Sequence, residues 1–253
     1  MDFAQLGLGD DLLKAIADVG YTTPTPIQEK AIPIVLMARD LIGLAQTGTG
    51  KTASFTLPMI EMLSSGRARS RMPRSLVLAP TRELAAQVAE NFDNYGKYHK
   101  LTKALLVGGE SMGEQVKILE KGVDVLIATP GRLLDLFDRG QILLSDIKIL
   151  VIDEADRMLD LGFSRELNEL FVILPQRRQT LLFSATFSDS IREMARLLLR
   201  EDAREGATDH LGEPWAVPLA EARLSSFLAA GSGAQDTSTD LPEAFIDRKS
   251  TRL

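Results

Sequence analysis

Residues 45–52 of the chain read AQTGTGKT, directly after an apolar run and before a stretch with helical periodicity. Glycine adopts backbone angles that are closed to other residues, so a glycine-rich loop can turn several backbone N–H groups toward one anion. In such a loop the lysine places a positive charge near the β- and γ-phosphates of a nucleotide, and the following threonine hydroxyl ligates Mg²⁺. The helix that starts here adds the positive end of its dipole. The stretch therefore predicts a phosphate-binding loop.

The composition of the loop leaves a simpler alternative, which is a glycine-rich turn between a strand and a helix. Such loops usually open with glycine, whereas Ala45 stands at that position. Glycine, lysine and threonine in succession after a strand nevertheless form a fairly specific context. The residues predicted to bind the phosphates are Ala45, Gln46, Thr47, Gly48, Thr49, Gly50, Lys51 and Thr52.

The composition of the chain indicates a globular protein with a substantial core. It has 253 residues, of which 45% are apolar, and no cysteine, so disulfides and thiolate metal sites are excluded. No apolar run reaches the length of a membrane span, and residues 1–20 lack a signal pattern. A cytoplasmic protein that does not contact membranes is expected.

The net charge of −6 is distributed unevenly along the chain. Residues 1–200 carry 24 lysines and arginines against 25 acidic residues, whereas residues 201–253 carry 5 against 10. The first 200 residues are therefore nearly neutral. This balance argues against a broad basic surface but permits a local track that binds phosphates.

Short apolar runs alternate with amphipathic stretches from about residue 40 onward. Most runs are rich in Val, Ile and Leu and do not alternate with polar residues, as expected of parallel strands buried on both faces. The six runs are Asp40–Ala45, Leu76–Ala79, Ala104–Val107, Val123–Ala128, Ile147–Ile152 and Thr180–Phe183. The alternation predicts an α/β fold with a mainly parallel, doubly wound sheet.

Polar or glycine-containing segments follow all six runs, at the strand ends where ligands bind in such sheets. Each segment alone has a plain structural explanation, since threonines before a helix are good N-caps and a glycine pair suits a turn. Six such segments on one edge exceed what capping explains. They are the phosphate loop, Pro80–Ala85, Gly108–Gly109, Thr129–Arg132, Asp153–Asp156 and Ser184–Thr186.

The acidic segment after the fifth run is the most informative of these. A buried strand that ends in carboxylates, about a hundred residues after a phosphate loop, places one of them near the Mg²⁺ that Thr52 holds. Asp153 is predicted to hold the metal, and Glu154 to orient the attacking water and accept its proton. The alternative is a solvated acidic turn.

The N-terminal segment leaves two readings of Gln28 open. Thr25 is a predicted helix N-cap, Pro26 suits the first helical position, and Gln28 falls at the third position of a capping box. The capping role is sufficient to explain the glutamine. The functional reading is an amide that offers one donor and one acceptor to the edge of adenine.

With these motifs in order, the sequence resembles the DEAD-box family of ATP-dependent RNA helicases, and looks most like its bacterial RhlE-type branch. The resemblance runs from Phe3 to about Arg200, and Ala45 is the residue usual in that family. It implies a RecA-like P-loop NTPase domain with ATP and Mg²⁺ as substrate and cofactor. The shared motifs are GYxxPTPIQ, AQTGTGKT, PTRELA, GG, TPGR, DEAD and SAT.

The resemblance also implies residue roles that the motifs alone left open. Gln28 would read adenine, supported by Thr25, with Tyr21 and Phe3 packing around the base. Ser184 and Thr186 would couple the nucleotide state to RNA binding by hydrogen bonding near Asp156. RNA, single-stranded or duplex, would be contacted through its phosphates and sugars more than its base edges. The residues implied in that contact are Thr81, Arg82, Gly109, Thr129 and Arg132.

The expected domain organisation follows from the extent of the resemblance. Residues 1–38 form the adenine-recognition segment, residues 39–200 the ATP- and RNA-binding domain, and residues 201–253 an irregular or partly helical acidic tail. The tail is too short for the family's second domain, which supplies arginines to the γ-phosphate. The tail is either native or the product of a truncation or frameshift. Translating the downstream coding DNA in the other two frames distinguishes these origins, because a frameshift would leave motifs of the second domain there.

Two alternatives to an active RNA helicase domain remain at this point. One is a catalytically silent module that binds ATP and RNA, and the other is a DNA-directed motor on the same fold. Measurement of phosphate release distinguishes the silent module from an enzyme. A binding titration that compares RNA with DNA distinguishes the DNA-directed motor from an RNA helicase domain.

The 253-residue chain is expected to hydrolyse ATP slowly if at all, and not to unwind a duplex. An arginine supplied across an interface is worth roughly 10³ to 10⁵ in rate in comparable NTPases. The measurement is phosphate release by the purified chain with saturating RNA. RNA-stimulated turnover at the rate of a complete helicase would contradict this expectation.

Overall fold

A computed structural model of the chain describes residues 2–46 and 48–199 and, beyond these, the short strand 204–206. Thr47 of the predicted phosphate loop and nearly all of the predicted tail lie outside the described residues. Among the described helices, none has both the length and the apolar character that crossing a membrane requires.

The described strands form one parallel sheet of seven strands in the order β3-β4-β2-β5-β6-β1-β7. All six predicted strands are confirmed, within a few residues of the predicted bounds. The strands are β1 (Leu41–Leu44), β2 (Ser75–Leu78), β3 (Lys103–Leu106), β4 (Val125–Ala128), β5 (Ile149–Ile152), β6 (Gln179–Ser184) and β7 (Arg204–Gly206).

Strand β7 was not predicted. Its three residues pair in parallel with β1, Gly43 lying opposite Gly206. Part of the segment expected to be an irregular or helical tail therefore extends the sheet. A strand of three residues gives no periodicity to detect in the sequence.

Helices join the strands and cover both faces of the sheet. A 3₁₀ turn at Phe3–Leu6 precedes them. The α-helices are α1 (Asp10–Asp18), α2 (Pro26–Leu36), α3 (Lys51–Leu63), α4 (Arg82–Gly96), α5 (Met112–Glu120), α6 (Pro130–Asp138), α7 (Ala155–Asp160), α8 (Ser164–Ile173) and α9 (Asp189–Leu198).

The sheet separates two apolar cores, to which successive strand residues contribute in alternation. Val77 and Val151 face the core formed with α1 to α4, whereas Leu76 and Leu150 face the core formed with α5 to α9. Because both faces are buried, the strands read as continuous apolar runs. The doubly wound arrangement that the sequence predicted is confirmed.

Gly43 in β1 permits a close approach of an aromatic ring. A Cβ atom at this position would collide with the ring of Phe183 in the neighbouring strand β6. Phe183 is fully buried and packs against Phe55 of α3, with ring centroids 5.3 Å apart. Gly43 thus allows the helix that carries Lys51 to pack closely on the sheet.

The substitution Gly43→Ala is expected to lower the free energy of unfolding by about 1–3 kcal/mol, because the buried ring has nowhere to move. Gly113→Ala is the matched control, since Gly113 is exposed on α5 and its added Cβ would meet no closer atom than Ser111 Oγ at 3.9 Å. Denaturant unfolding measures both. Equal effects of the two changes would refute the packing argument.

Candidate functional site

The loop after β1 has the backbone of an anion-binding turn. Gly48 and Gly50 have φ angles of 83° and 89°, a region that residues with a side chain rarely adopt. The Thr49 hydroxyl donates to the carbonyl of Gln46 over 2.7 Å, which closes the loop, and α3 begins at Lys51. The N-terminus of α3 therefore opens directly from the loop, as the sequence predicted.

Lys51 and Asp153 are buried at the same edge of the sheet. Lys51 follows the loop after β1, Asp153 directly follows β5, and only β6 lies between these strands. Each residue is 6% exposed, and neither Lys51 Nζ nor Asp153 Oδ1 has a hydrogen-bond partner among the described residues. Opposite charges that are buried without partners, beside a loop whose backbone suits an anion, indicate a ligand at this edge.

The electrostatics at Asp153 are dominated by its burial. Desolvation raises the pKa of its carboxyl from an ordinary 3.8 to about 7, and the positive charge of Lys51 opposes this rise. The neighbouring carboxylates of Glu154 and Asp156 contribute to the same rise in pKa. A cation bound beside Asp153 would favour the ionised form.

The backbone of Glu154 is strained in a way that directs its side chain. Its φ and ψ are both 53°, in the left-handed region that few residues other than glycine occupy. The residue is buried, and one carboxylate oxygen accepts from Nη1 of Arg157 over 3.3 Å. Left-handed residues outside glycine concentrate at functional sites, which agrees with the predicted role as base.

The acidic segment is joined to the segment after β6 by one carboxylate oxygen. Asp156 Oδ2 accepts from the backbone N–H groups of Ala185 and Thr186 at 3.1 and 3.0 Å and from the Thr186 hydroxyl at 3.1 Å. The predicted contact of Thr186 is therefore present. Its role in coupling stays a prediction.

Ser184 differs from the expectation. Its hydroxyl accepts from Thr186 N over 3.3 Å, and among the described residues it makes no hydrogen bond to the acidic segment. Its carbonyl instead accepts from Ala45 N at 3.1 Å. Ser184 thus connects the phosphate loop to Thr186, and the Ala185 backbone makes the contact predicted for the serine.

Both readings of Gln28 are compatible with its contacts. Its Oε1 accepts from Thr25 N at 3.0 Å, which confirms the capping role. Its Nε2 donates to the carbonyl of Gly50 at 3.2 Å, so the same amide supports the phosphate loop. An amide has two donors and two acceptor positions, and adenine recognition stays a prediction.

The two aromatic residues predicted to pack around the base lie in different environments. Phe3 is 3% exposed and belongs to the core that α1 to α4 form with the sheet. Tyr21 is 46% exposed, and its ring packs against Tyr95 with centroids 6.2 Å apart. Tyr21 therefore presents an accessible ring, whereas Phe3 supports the segment from within.

The residues implied in RNA contact follow three adjacent strands. Thr81 and Arg82 follow β2, Gly109 follows β3, and Thr129 and Arg132 follow β4. Thr81 is the N-cap of α4 and accepts from Leu84 N over 3.3 Å, and Thr129 is the N-cap of α6. The helix-capping roles of the two threonines are thus present. All five residues lie at the carboxyl edge of the sheet.

Three of these residues meet at the loop after β3. Gly109 has a φ of 79°, and a Cβ atom there would collide with the guanidinium of Arg82. Arg132 Nη1 donates to the carbonyl of Glu110 at 3.4 Å and to Gln115 Oε1 at 3.3 Å. Sequence reasoning missed Gln115, which is buried on α5, and only its position on the apolar face of that helix distinguishes it.

The residues present fit a magnesium nucleotide better than a metal held by protein alone. Among the described residues there is no group of three or more His, Asp or Glu suited to a metal ion. Magnesium commonly takes one or two protein oxygens together with phosphates and water. The Thr52 hydroxyl and Asp153, one of whose oxygens is buried without a partner, match that smaller donor set.

Known proteins resemble the chain over this region. A family model described as DEAD/DEAH box helicase matches residues 25–194. The ATP-dependent RNA helicase DBP10 of Chaetomium globosum is 46% identical over 199 residues, which are 79% of this chain and 26% of the relative. The ATP-dependent RNA helicase DRS1 of Kluyveromyces lactis is 46% identical over 204 residues, 80% of this chain and 27% of the relative.

A solved structure has the same fold. It is a DEAD box protein from the hyperthermophile Methanococcus jannaschii, which superposes with a TM-score of 0.75 at 34% identity. The match covers 82% of this chain and 56% of that one. This chain spans about a quarter of the length of the two helicases above.

Asp153→Asn is expected to stabilise the chain at pH 8 but not at pH 4, in buffer without nucleotide or magnesium. The folded pKa of about 7 lies above the ordinary 3.8, so between these values the folded chain keeps a proton that the unfolded chain releases. The contribution of Asp153 to the stability of the unsubstituted chain therefore falls from about pH 4 to about pH 7 and stays low above. Asparagine does not ionise and avoids this loss.

The thermal unfolding midpoint as a function of pH measures the effect. Asp146→Asn, at the opposite end of β5, is the control and should leave the pH dependence unchanged. A midpoint for Asp153→Asn that follows the unsubstituted chain at every pH would show that Asp153 is not desolvated as the structure indicates.

Proposed function

Because this chain belongs to the DEAD/DEAH box helicase family, we propose that it is the ATP- and RNA-binding RecA-like domain of an ATP-dependent RNA helicase. In the complete protein this domain would hydrolyse ATP and couple the hydrolysis to local separation of RNA strands. The relatives named above carry that activity in their names, and the family match supports its transfer to this chain.

The observation that carries the proposal is the pair of buried, unpartnered atoms at the carboxyl edge. Leaving a lysine ammonium and a carboxylate oxygen without hydrogen bonds costs free energy that a ligand can return. A triphosphate offers acceptors to Lys51 and to the backbone N–H groups of the loop. Its magnesium offers a positive charge to Asp153, whose burial otherwise disfavours ionisation.

The residues then take complementary parts in hydrolysis. The loop and Lys51 would bind the β- and γ-phosphates, and Thr52 and Asp153 would hold a magnesium ion, which would supply positive charge to offset the negative charge of the phosphates. Glu154 accepts the proton of the water that attacks the γ-phosphorus, while the bond from that phosphorus to the bridging oxygen breaks. ADP and inorganic phosphate are the products.

The RNA part of the proposal rests on the three strand ends beside the nucleotide half of the site. Arg82 and Arg132 supply positive charge there, and Gly109 allows the protein backbone to approach an RNA strand closely. A few such contacts suffice for a nearly neutral domain to bind RNA through its sugar–phosphate backbone. Asp156, Ser184 and Thr186 would transmit the nucleotide state to this surface.

Finer assignments remain predictions. Membership of the bacterial RhlE-type branch is one of them. Both relatives named above are eukaryotic helicases, so a phylogenetic tree that includes eukaryotic and RhlE-type sequences would test this prediction. A cytoplasmic location is likewise a prediction, which imaging of the tagged protein would test.

Lys51→Ala is expected to weaken ATP–Mg²⁺ binding by at least about tenfold, because a charge-assisted contact to the phosphates is lost. Glu154→Gln is expected to leave binding nearly unchanged and to reduce any phosphate release by about 10² or more, because the amide cannot accept the proton. Equilibrium ATP titration with and without RNA, and phosphate release, measure these effects. Lys148→Ala, an exposed lysine before β5, is the control.

Each result separates the proposed function from its alternatives. Phosphate release, however slow, that both substitutions abolish supports an enzyme over a silent module. Preference for DNA over RNA in the same titration would favour a DNA-directed motor. Failure of the unsubstituted chain to bind ATP–Mg²⁺ would overturn the proposal.

A further inference from the structure

Gln115 is a buried polar residue that the roles described so far do not use. It lies on α5 and is 3% exposed, and its side-chain amide makes two hydrogen bonds, one as donor and one as acceptor. Its Nε2 donates to the carbonyl of Val107 over 3.1 Å, and its Oε1 accepts from Nη1 of Arg132 over 3.3 Å. One side chain therefore joins the end of β3 to the arginine of α6.

The same arginine contacts the next part of the loop. Arg132 Nη1 and Nη2 reach the carbonyl of Glu110 at 3.4 and 3.5 Å, which are long for hydrogen bonds. The guanidinium is thus held between the loop backbone and the amide of Gln115. All of these contacts are longer than an ordinary hydrogen bond, but the Gln115 amide is buried whereas Glu110 is exposed, so Gln115 is the support of Arg132 that is shielded from water.

The chemistry of the position requires an amide. Val107 needs a donor and Arg132 needs an acceptor, and a glutamine offers both from one planar group. Methionine has nearly the same shape but makes neither bond. A purely structural role, in which Gln115 only satisfies the Val107 carbonyl, would leave its contact to Arg132 without consequence.

We propose that Gln115 is a positioning residue for RNA binding: it holds the Arg132 guanidinium and the Val107–Glu110 backbone in the arrangement that a phosphate backbone contacts. The inference rests on the proposed RNA-binding function. Gln115 itself is buried and does not touch RNA. Its contribution is pre-organisation, since an arginine already held in place loses less freedom on binding.

Gln115→Met is expected to weaken binding of a labelled oligouridine to the 253-residue chain by about fivefold, the usual effect of one lost hydrogen bond. The affinity for ATP should not change. In a chain that already carries Arg132→Gln, the same Gln115→Met change should weaken RNA binding by less than about twofold, because the group it positions is gone. Fluorescence anisotropy measures all four chains of this cycle.

Gln141→Met is the control, because Gln141 makes only a local bond to the carbonyl of Arg139 just after α6. Equal weakening by Gln115→Met with and without Arg132→Gln would overturn the inference, as would a parallel loss of ATP affinity. Absence of RNA binding by the unsubstituted chain would instead remove the RNA-binding function, and the inference with it. Binding that Gln115→Met leaves unchanged overturns the inference alone.

A second measurement covers the case in which Gln115→Met does not fold. The side-chain amide resonance of Gln115 in the otherwise unsubstituted chain should be protected from exchange and should shift on Arg132→Gln. A Gln115 resonance that exchanges freely, or that Arg132→Gln leaves in place, would show that the two side chains do not interact in solution.

Discussion

Strand β6 lies between β1 and β5, and its two parallel ladders align the ends of the strands that precede Lys51 and Asp153. Leu44 pairs with Ser184, and Leu182 pairs with Ile152, so the three strands end at the same edge. Strands two apart in a sheet are separated by roughly 10 Å. Lys51 does not end β1, and the loop after that strand brings it near enough for its positive charge to oppose the rise in the pKa of Asp153.

Two buried carboxylates at opposite edges of the sheet differ in how their oxygens are satisfied. At the amino edge Asp124 is buried but accepts from Arg74 and from Thr102, at 3.1 and 2.9 Å. At the carboxyl edge Asp153 is buried to a similar degree, yet one of its oxygens has no partner. Glu154 adds backbone strain of about 1–2 kcal/mol at the same edge. A protein retains features that lower its folding stability in this way where a bound ligand offsets their free-energy cost.

Sequence patterns predicted the strands, the phosphate loop and the common edge because each depends on local chemistry that the sequence shows directly. Apolar runs buried on both faces, glycines in a loop and acids after a strand are signals within a few residues of one another. Gln115 and the Ala185 backbone were missed because their roles depend on which strands are neighbours, and strand order leaves no local pattern. The coupling role of Ser184 stays a prediction: its hydroxyl accepts from Thr186 N, and the N–H of Ala185, one residue later, donates to Asp156.

Strand order also explains how one edge can serve two ligands. The nucleotide candidates follow β1, β5 and β6, whereas the RNA candidates follow β2, β3 and β4, and β5 pairs with β2 where the two groups meet. Asp156, just after β5, receives three hydrogen bonds from the segment after β6, whose Ser184 is bonded to the phosphate loop. A shift of the loop would therefore reach α7 through a few hydrogen bonds. Since β5 pairs with β2, Asp156 lies between the two groups of candidate residues.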